Sequence, residues 1–97
     1  MNTPLGHLES LDDLTLLRHH LAGDLDAFEV FLRRYQAPLY GFLVRFTASC
    51  SLADDVFQET FLKVHKAAAT LHDRGNIKSW LFTIAANTAR DALRSRA

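Results

Sequence analysis

The sequence predicts an all-α fold, a compact bundle of three long helices with a short helix at the N-terminal end. Apolar residues recur at steps of three and four along several long segments, and no segment alternates apolar and polar residues as a half-buried strand does. Only four glycines and two prolines are present, which is few for a many-stranded fold rich in turns. With 97 residues, of which 48% are hydrophobic and 23% charged, the chain fits one soluble domain with one core.

The N-terminal part divides into a tail and the first helix. Residues 1–9 show no periodicity and are predicted to form a flexible tail, so the folded domain is expected at 10–97. Ser10 and Asp13 match the Ser-x-x-Asp signal of a helix N-terminus. Leucines follow at helical spacing until Gly23, which ends this short helix.

The second helix carries the strongest apolar stripe. Asp24 is placed to cap its first turn. Pro38 falls inside the helix and predicts either a kink or a break into two helices. The stripe consists of Phe28, Phe31, Leu32, Tyr35, Leu39, Phe42, Leu43 and Phe46.

Two further long helices follow. Ser51 and Asp54 repeat the capping signal, and the third helix is expected to run to the vicinity of Leu71. Gly75 is the turn residue of the next loop, and the fourth helix begins near Asn76 and continues to the end of the chain. Four phenylalanines of the second and third helices are assigned wholly to the core, namely Phe28, Phe31, Phe57 and Phe61.

The third helix has a second stripe that does not belong to the core. Its members are Asp55, Gln58, Glu59, Leu62 and Lys66. One interpretation is a solvated surface with a stray leucine. The other is a protein-binding face, in which the leucine is a small apolar anchor among acidic and amide groups. The pattern leaves both open.

The fourth helix has a polar stripe without a carboxylate. It comprises Asn76, Ser79, Thr83, Asn87, Arg90 and Arg94. A solvated helix usually mixes Glu and Lys in pairs four residues apart. Short polar side chains can reach base edges, and arginines neutralise phosphates. Although the net charge of the chain is zero, residues 63–97 contain seven basic and two acidic residues. The stripe is therefore a candidate nucleic-acid surface, with a solvated face as the alternative.

Neither catalysis nor metal binding finds support in the sequence. A phosphate-binding glycine loop is missing, and the single cysteine, Cys50, excludes a disulfide framework and a multi-cysteine metal site. We therefore expect no enzymatic activity, cofactor or metal. No apolar segment reaches the roughly 18 residues of a membrane span, and no secretory signal is visible. A reducing cytoplasm is the expected location.

Three spaced segments in the second half of the chain form a recognisable pattern: 54–64 (DDVFQETFLKV), 79–87 (SWLFTIAAN) and 90–94 (RDALR). Upstream, 21–24 (LAGD) and 35–40 (YQAPLY) fit the same pattern. Together they resemble region 2 of the extracytoplasmic-function (ECF) group of sigma-70-type bacterial transcription initiation factors. The resemblance covers nearly the whole chain.

This resemblance implies a helical domain that docks on the clamp helices of the RNA polymerase β′ subunit. It also implies recognition of the −10 promoter element and capture of the non-template strand. The stripe on the third helix falls on the polymerase-docking helix, and the loop 72–78 matches the segment that accepts an extruded base. The fourth helix matches the promoter-reading helix. We therefore expect phosphate contacts from Arg74, Lys78, Arg90 and Arg94, and base contacts from Asn76, Ser79 and Asn87, with Thr83 on the same stripe. An anti-sigma factor is an expected further partner.

The chain departs from the family at several points. Ala86 stands where the family often has an arginine or another long residue, which would remove one DNA contact. His65 stands where many members have Trp and is interpreted as a smaller, partly wet core residue. Trp80 is assigned to the core in preference to stacking on a base. The second domain of the family, region 4, is expected to be absent from this chain. The alternative function is a helical protein-interaction module, for example one that binds an anti-sigma factor without reading DNA.

Overall fold

The computed structural model describes residues 5–71 and 76–96, and within them all regular structure is helical. The α-helices are α1 (Leu5–Leu8), α2 (Asp13–Leu21), α3 (Leu25–Thr47), α4 (Cys50–Ala67) and α5 (Ile77–Arg96). One turn of 3₁₀ helix, Ala68–Thr70, extends α4. The predicted all-α fold with three long helices is confirmed.

Part of the segment predicted as a tail is helical. Residues Leu5–Leu8 form one helical turn that packs on α3, and the side chain of Leu8 is 0% exposed. Ser10 does not cap α2 but closes this turn, because its hydroxyl donates to the backbone oxygen of His7 at 2.7 Å. The sequence prediction is therefore wrong for Leu5–Leu8. A single turn is too short to show a period, and burial of one leucine holds it in place.

Asp12 rather than Ser10 caps α2, since its Oδ1 accepts the backbone N–H three residues later at 2.9 Å. Asp13 instead joins α2 to α3. Its carboxylate accepts a hydrogen bond from Nη1 of Arg34 at 2.7 Å and another from the hydroxyl of Tyr35. Nη2 of Arg34 also donates to the backbone oxygen of Leu11 at 2.9 Å. Burial, followed by the contact with Asp13, raises the pKa of Tyr35 to about 12.

The longest helix, α3, runs unbroken through Pro38, so the predicted alternative of two helices is wrong. Pro38 lies on the exposed side of the helix, where the carbonyl that lacks its usual donor can be hydrated. The flanking Tyr35 and Leu39 are both buried, and their packing holds the two halves together. At the end of α3, Ala48 adopts a left-handed conformation with φ of 58°.

The start of α4 also differs from its prediction by two residues. Ser49, not Ser51, is the N-cap, and its Oγ accepts the backbone N–H of Leu52 at 3.1 Å. Ser51 and Asp54 are exposed members of the helix itself. The prediction failed because two serines stand close together and only the backbone conformation of the first suits a cap.

The core lies where α2, α3, α4 and α5 meet. Of the four phenylalanines assigned to it, Phe31 and Phe61 are buried, whereas Phe28 and Phe57 are only half-buried, which corrects the prediction for those two. Trp80 is half-buried and packs against the core. The largest fully buried side chains are Phe31, Leu8, Leu16, Leu17, Leu39, Leu43 and Leu81. No helix in the described part of the chain is both long and apolar enough to cross a membrane.

Candidate nucleic-acid interface and protein-docking face

The polar stripe of α5 is exposed along its length. We call it the α5 stripe; its members within the helix are Ser79, Thr83, Asn87, Arg90 and Arg94, all exposed. The opposite side of α5 is buried through Ile77, Leu81, Ala85, Thr88 and Ala89. The helix is therefore fixed by its apolar side and presents these polar groups together.

The residues at the start of α5 are arranged less uniformly. Asn76 caps the helix, since its Oδ1 accepts the backbone N–H of Ser79 at 2.9 Å, so its side-chain NH₂ remains for other contacts. Lys78 is exposed but lies about 100° around the helix from Ser79, off the α5 stripe. Arg74 and the rest of the loop 72–75 lie outside the described residues.

The two arginines of the α5 stripe have different surroundings. Arg94 forms an ion pair with Asp91 one turn earlier. Arg90 donates from Nη1 to Oδ1 of Asn87 at 2.9 Å, and its Cζ lies 5.7 Å from the centre of the Phe46 ring. Because no carboxylate pairs with Arg90 in the described part of the chain, its charge is the less neutralised of the two.

The second stripe of α4 is also exposed in full. We call Asp55, Gln58, Glu59, Leu62 and Lys66 the α4 stripe. Leu62 is 61% exposed; Leu21 and Leu25 are also exposed, so it is the polar surroundings of Leu62 that distinguish it. Glu59 pairs with Lys63 at 3.3 Å. Nζ of Lys63 also donates to Oγ1 of Thr88 at 3.0 Å, which links the α4 stripe to α5.

A groove between α3 and α4, which the sequence analysis missed, borders the α4 stripe. Its volume is about 360 Å³, and Leu62 forms part of its wall. The half-buried Phe28 and Phe57 line it, which explains why they are not wholly in the core. The full lining is Phe28, Leu32, Phe57, Gln58, Phe61, Leu62 and His65. Leu62 within a polar stripe was the available sign of this surface.

His65 is exposed, so its interpretation as a partly wet core residue is wrong. Its Nδ1 lies 2.8 Å from Nε2 of His20, and this hydrogen bond joins α4 to α2. The ring of His20 also packs on Phe28 with 4.5 Å between the ring centres. Burial, followed by the charge of His65, lowers the pKa of His20. Nδ1 of His20 is buried without a hydrogen-bond partner in the described residues.

The described residues do not form a candidate metal site. Across residues 5–71 and 76–96, no three His, Cys, Asp or Glu side chains come together as metal ligands. Cys50 is free and exposed at the first turn of α4. The described surface presents a helix face on α5 with cationic and amide groups, and a face on α4 with two carboxylates beside an apolar groove.

Known proteins are similar to this chain in sequence and in fold. The family model described as sigma-70 region 2 matches residues 31–97. The RNA polymerase sigma factor CarQ of Myxococcus xanthus is 43% identical over 72 residues, covering 74% of this chain and 41% of that protein. The RNA polymerase sigma-H factor of Pseudomonas aeruginosa is 34% identical over 84 residues, covering 87% of this chain and 44% of that protein. The chain thus spans about two fifths of the length of these curated relatives.

Among solved structures, an engineered region 2 of sigmaE, determined by NMR in complex with GTAAAA, has the same fold. It matches with a TM-score of 0.80 and 32% sequence identity, and the match covers 91% of this chain and 92% of that one. The ECF RNA polymerase sigma-E factor of Haemophilus influenzae is 33% identical over 85 residues, covering 88% of this chain and 44% of that protein. The matched family model, these relatives and the shared fold agree: the chain belongs to the sigma-70 family as a region 2 domain of its ECF group.

Proposed function

We propose that this domain acts in transcription initiation by recognising the −10 promoter element and holding the non-template strand while docked on RNA polymerase. The exposed α5 stripe is the observation that carries the proposal. It combines cationic and amide groups on one helix face of a fold that, in the sigmaE relative, was solved in complex with GTAAAA. The domain would work in the cytoplasm by binding alone.

On the α5 stripe, the cations and the short polar groups have separate tasks. Arg90 and Arg94 hold phosphates, with Lys78 and Arg74 as further cations near the start of the helix. Such contacts release counterions and make the affinity depend on salt. Asn87, Ser79 and the free NH₂ of Asn76 can donate to base edges, with Thr83 beside them. An unpaired base displays these edges without competition from its partner strand.

Capture of an open strand follows from these contacts. Unstacking one base costs about a few kcal/mol, so duplex DNA opens only transiently. A surface that binds the unstacked strand stabilises the open form by mass action. The loop 72–78 is proposed to accept the extruded base.

The α4 stripe is proposed to dock on the clamp helices of the β′ subunit. Asp55 and Glu59 supply negative charge for a basic partner, and Gln58 supplies an amide. Leu62 and the adjoining groove supply an apolar surface on which a side chain of the partner can be buried. The two stripes lie on different helices and share no residue, so the proposed DNA and polymerase contacts use separate side chains.

The groove also favours a second candidate function, binding of an anti-sigma factor. An apolar groove with acidic neighbours can hold an amphipathic helix of any partner that carries complementary groups. Such a partner would compete with the β′ clamp helices for Leu62. In this alternative the α5 stripe never contacts DNA.

The deciding experiment measures binding of the domain to short single-stranded oligonucleotides that contain GTAAAA or scrambled sequences, at two salt concentrations. We expect sequence-dependent binding that Asn87→Ala abolishes and that Gln36→Ala, an exposed amide change on α3, leaves intact. Equal and weak binding to every sequence would contradict direct reading by the isolated domain.

Docking is tested separately. Leu62→Ala and Glu59→Ala should weaken capture by a fragment containing the β′ clamp helices, whereas Arg18→Ala on α2 should not. Retained capture by both α4 variants would contradict the docking proposal.

A further inference from the structure

The side chain of Arg90 is exposed, yet it is held from two sides. Nη1 donates to Oδ1 of Asn87 at 2.9 Å, and Cζ lies 5.7 Å from the centre of the Phe46 ring. A guanidinium within about 6 Å of an aromatic ring centre is attracted by the negative face of the ring. The position of Arg90 is therefore set by one residue of its own helix and by one residue of α3.

Phe46 is itself fixed. Its ring packs against Phe42 with 5.5 Å between the ring centres, and Phe42 packs against Phe82 of α5 at 5.4 Å. Phe46 is half-buried near the C-terminal end of α3. An arginine that rests on such a ring has already lost part of its rotamer freedom, so it loses less when it binds a ligand.

We infer that Phe46 is a positioning residue for Arg90 and thereby strengthens binding of single-stranded DNA, although it lies on α3 and outside the α5 stripe. This inference rests on the proposed DNA-binding function. With Nη1 bonded to Asn87, Nη2 and Nε of Arg90 remain as donors for a backbone phosphate. Two adjacent donors on a planar guanidinium match the geometry of phosphate oxygens.

A double-mutant cycle tests the inference. The affinity for a single-stranded GTAAAA oligonucleotide is measured for the wild type, Phe46→Leu, Arg90→Ala and the double variant. A cation–π contact at an exposed site predicts that Phe46→Leu weakens binding about two- to fivefold in the wild type. In the Arg90→Ala background the same change should have no effect. Phe46→Tyr, which keeps the aromatic face, should restore wild-type affinity.

Two further measurements separate positioning from a general effect on the fold. Phe31→Leu makes the same change in a core ring of α3 that packs on Phe28, Tyr35 and Phe61 rather than on Phe46; it should lower the melting temperature and keep the DNA affinity. In the free protein, the NMR signals of the Arg90 side chain should show a ring-current shift that Phe46→Leu removes.

The opposing results are distinct. An equal loss from Phe46→Leu with and without Arg90 would overturn this inference alone, because the effect would then not pass through the arginine. An unchanged affinity of Phe46→Leu would do the same. Failure of the wild-type domain to bind the oligonucleotide would overturn the DNA-binding proposal and this inference with it.

Discussion

Replacing His20 with Phe should remove part of the pH dependence of the unfolding free energy, because the His20–His65 hydrogen bond suits only the neutral pair. Nε2 of His20 faces Nδ1 of His65 at 2.8 Å, and Nδ1 of His20 is buried without a partner. The arrangement that leaves no buried donor unpaired has the hydrogen of His20 on Nε2, donating to His65.

A proton added to His20 disturbs this arrangement. A proton on His20 must go to Nδ1, which creates a buried N–H without an acceptor. Protonation of His20 therefore adds both a charge and an unpaired buried donor. The pKa of His20 is lowered accordingly, by burial first and by the charge of His65 second.

The expected size is about 1 kcal/mol. An unpaired buried donor costs about 1–3 kcal/mol, and partial access of water to the half-buried His20 places the effect at the low end. A histidine whose pKa is lower in the folded than in the unfolded state binds fewer protons when folded. Its contribution to stability is therefore complete above the unfolded value of 6.5 and is lost as the pH falls below it.

Urea unfolding at pH values of about 7.5 and about 5.5 measures this contribution. His20→Phe keeps a ring against Phe28 and cannot titrate. Between the two pH values, the wild type should lose about 1 kcal/mol more than this variant. His7→Gln, an exposed change on α1, should behave as the wild type. If wild type and His20→Phe lost the same free energy, the reasoning on the buried nitrogen would be refuted.

Three further changes test other parts of the structure. Asp13→Asn should lower the unfolding free energy by about 2 kcal/mol, because it weakens the charge-assisted hydrogen bonds to Arg34 and Tyr35. Spectrophotometric titration of this variant should find the pKa of Tyr35 below about 12, and an unchanged titration would contradict the contact. Ala48→Gly should stabilise the fold by about 0.5–1 kcal/mol, because glycine relieves left-handed strain, and a lower melting temperature would contradict this. Arg90→Ala should reduce DNA affinity and its salt dependence more than Arg94→Ala, since a carboxylate on the same helix already neutralises Arg94; equal losses in the binding titrations would contradict this.

The sequence was sufficient for the long helices and for the two exposed stripes, because periodicity reports directly which side of a helix is apolar. It was weaker at helix starts. Ser10 and Ser51 fit the capping pattern, but Asp12 and Ser49 hold the extended backbone that a cap requires. The turn containing Leu8 is too short to have a period at all.

Contacts between helices could not be predicted from the sequence, for a different reason. The pairing of Lys63 with Thr88, and the approach of Phe46 to Arg90, depend on how two helices rotate against each other. A one-dimensional pattern does not contain that rotation. The same limit applies to the groove. An apolar stripe does not show which of its side chains the neighbouring helix covers, and here the packing of α3 and α4 leaves Phe28 and Phe57 only half-covered. The assignment of both stripes to DNA and polymerase remains a prediction.

The position of α3 has a consequence for how the domain opens. It packs against α1, α2, α4 and α5, and at 23 residues it extends about 35 Å through the molecule. Separating any one of these helices from the domain therefore exposes one side of α3 to solvent. Exposing α3 completely requires that all four interfaces be broken. Amide hydrogens in its buried turns should exchange only through global unfolding, while those of the single turn α1 exchange through local fraying. The α1 turn should consequently open long before α4 or α5, which carry the two exposed stripes, separate from α3.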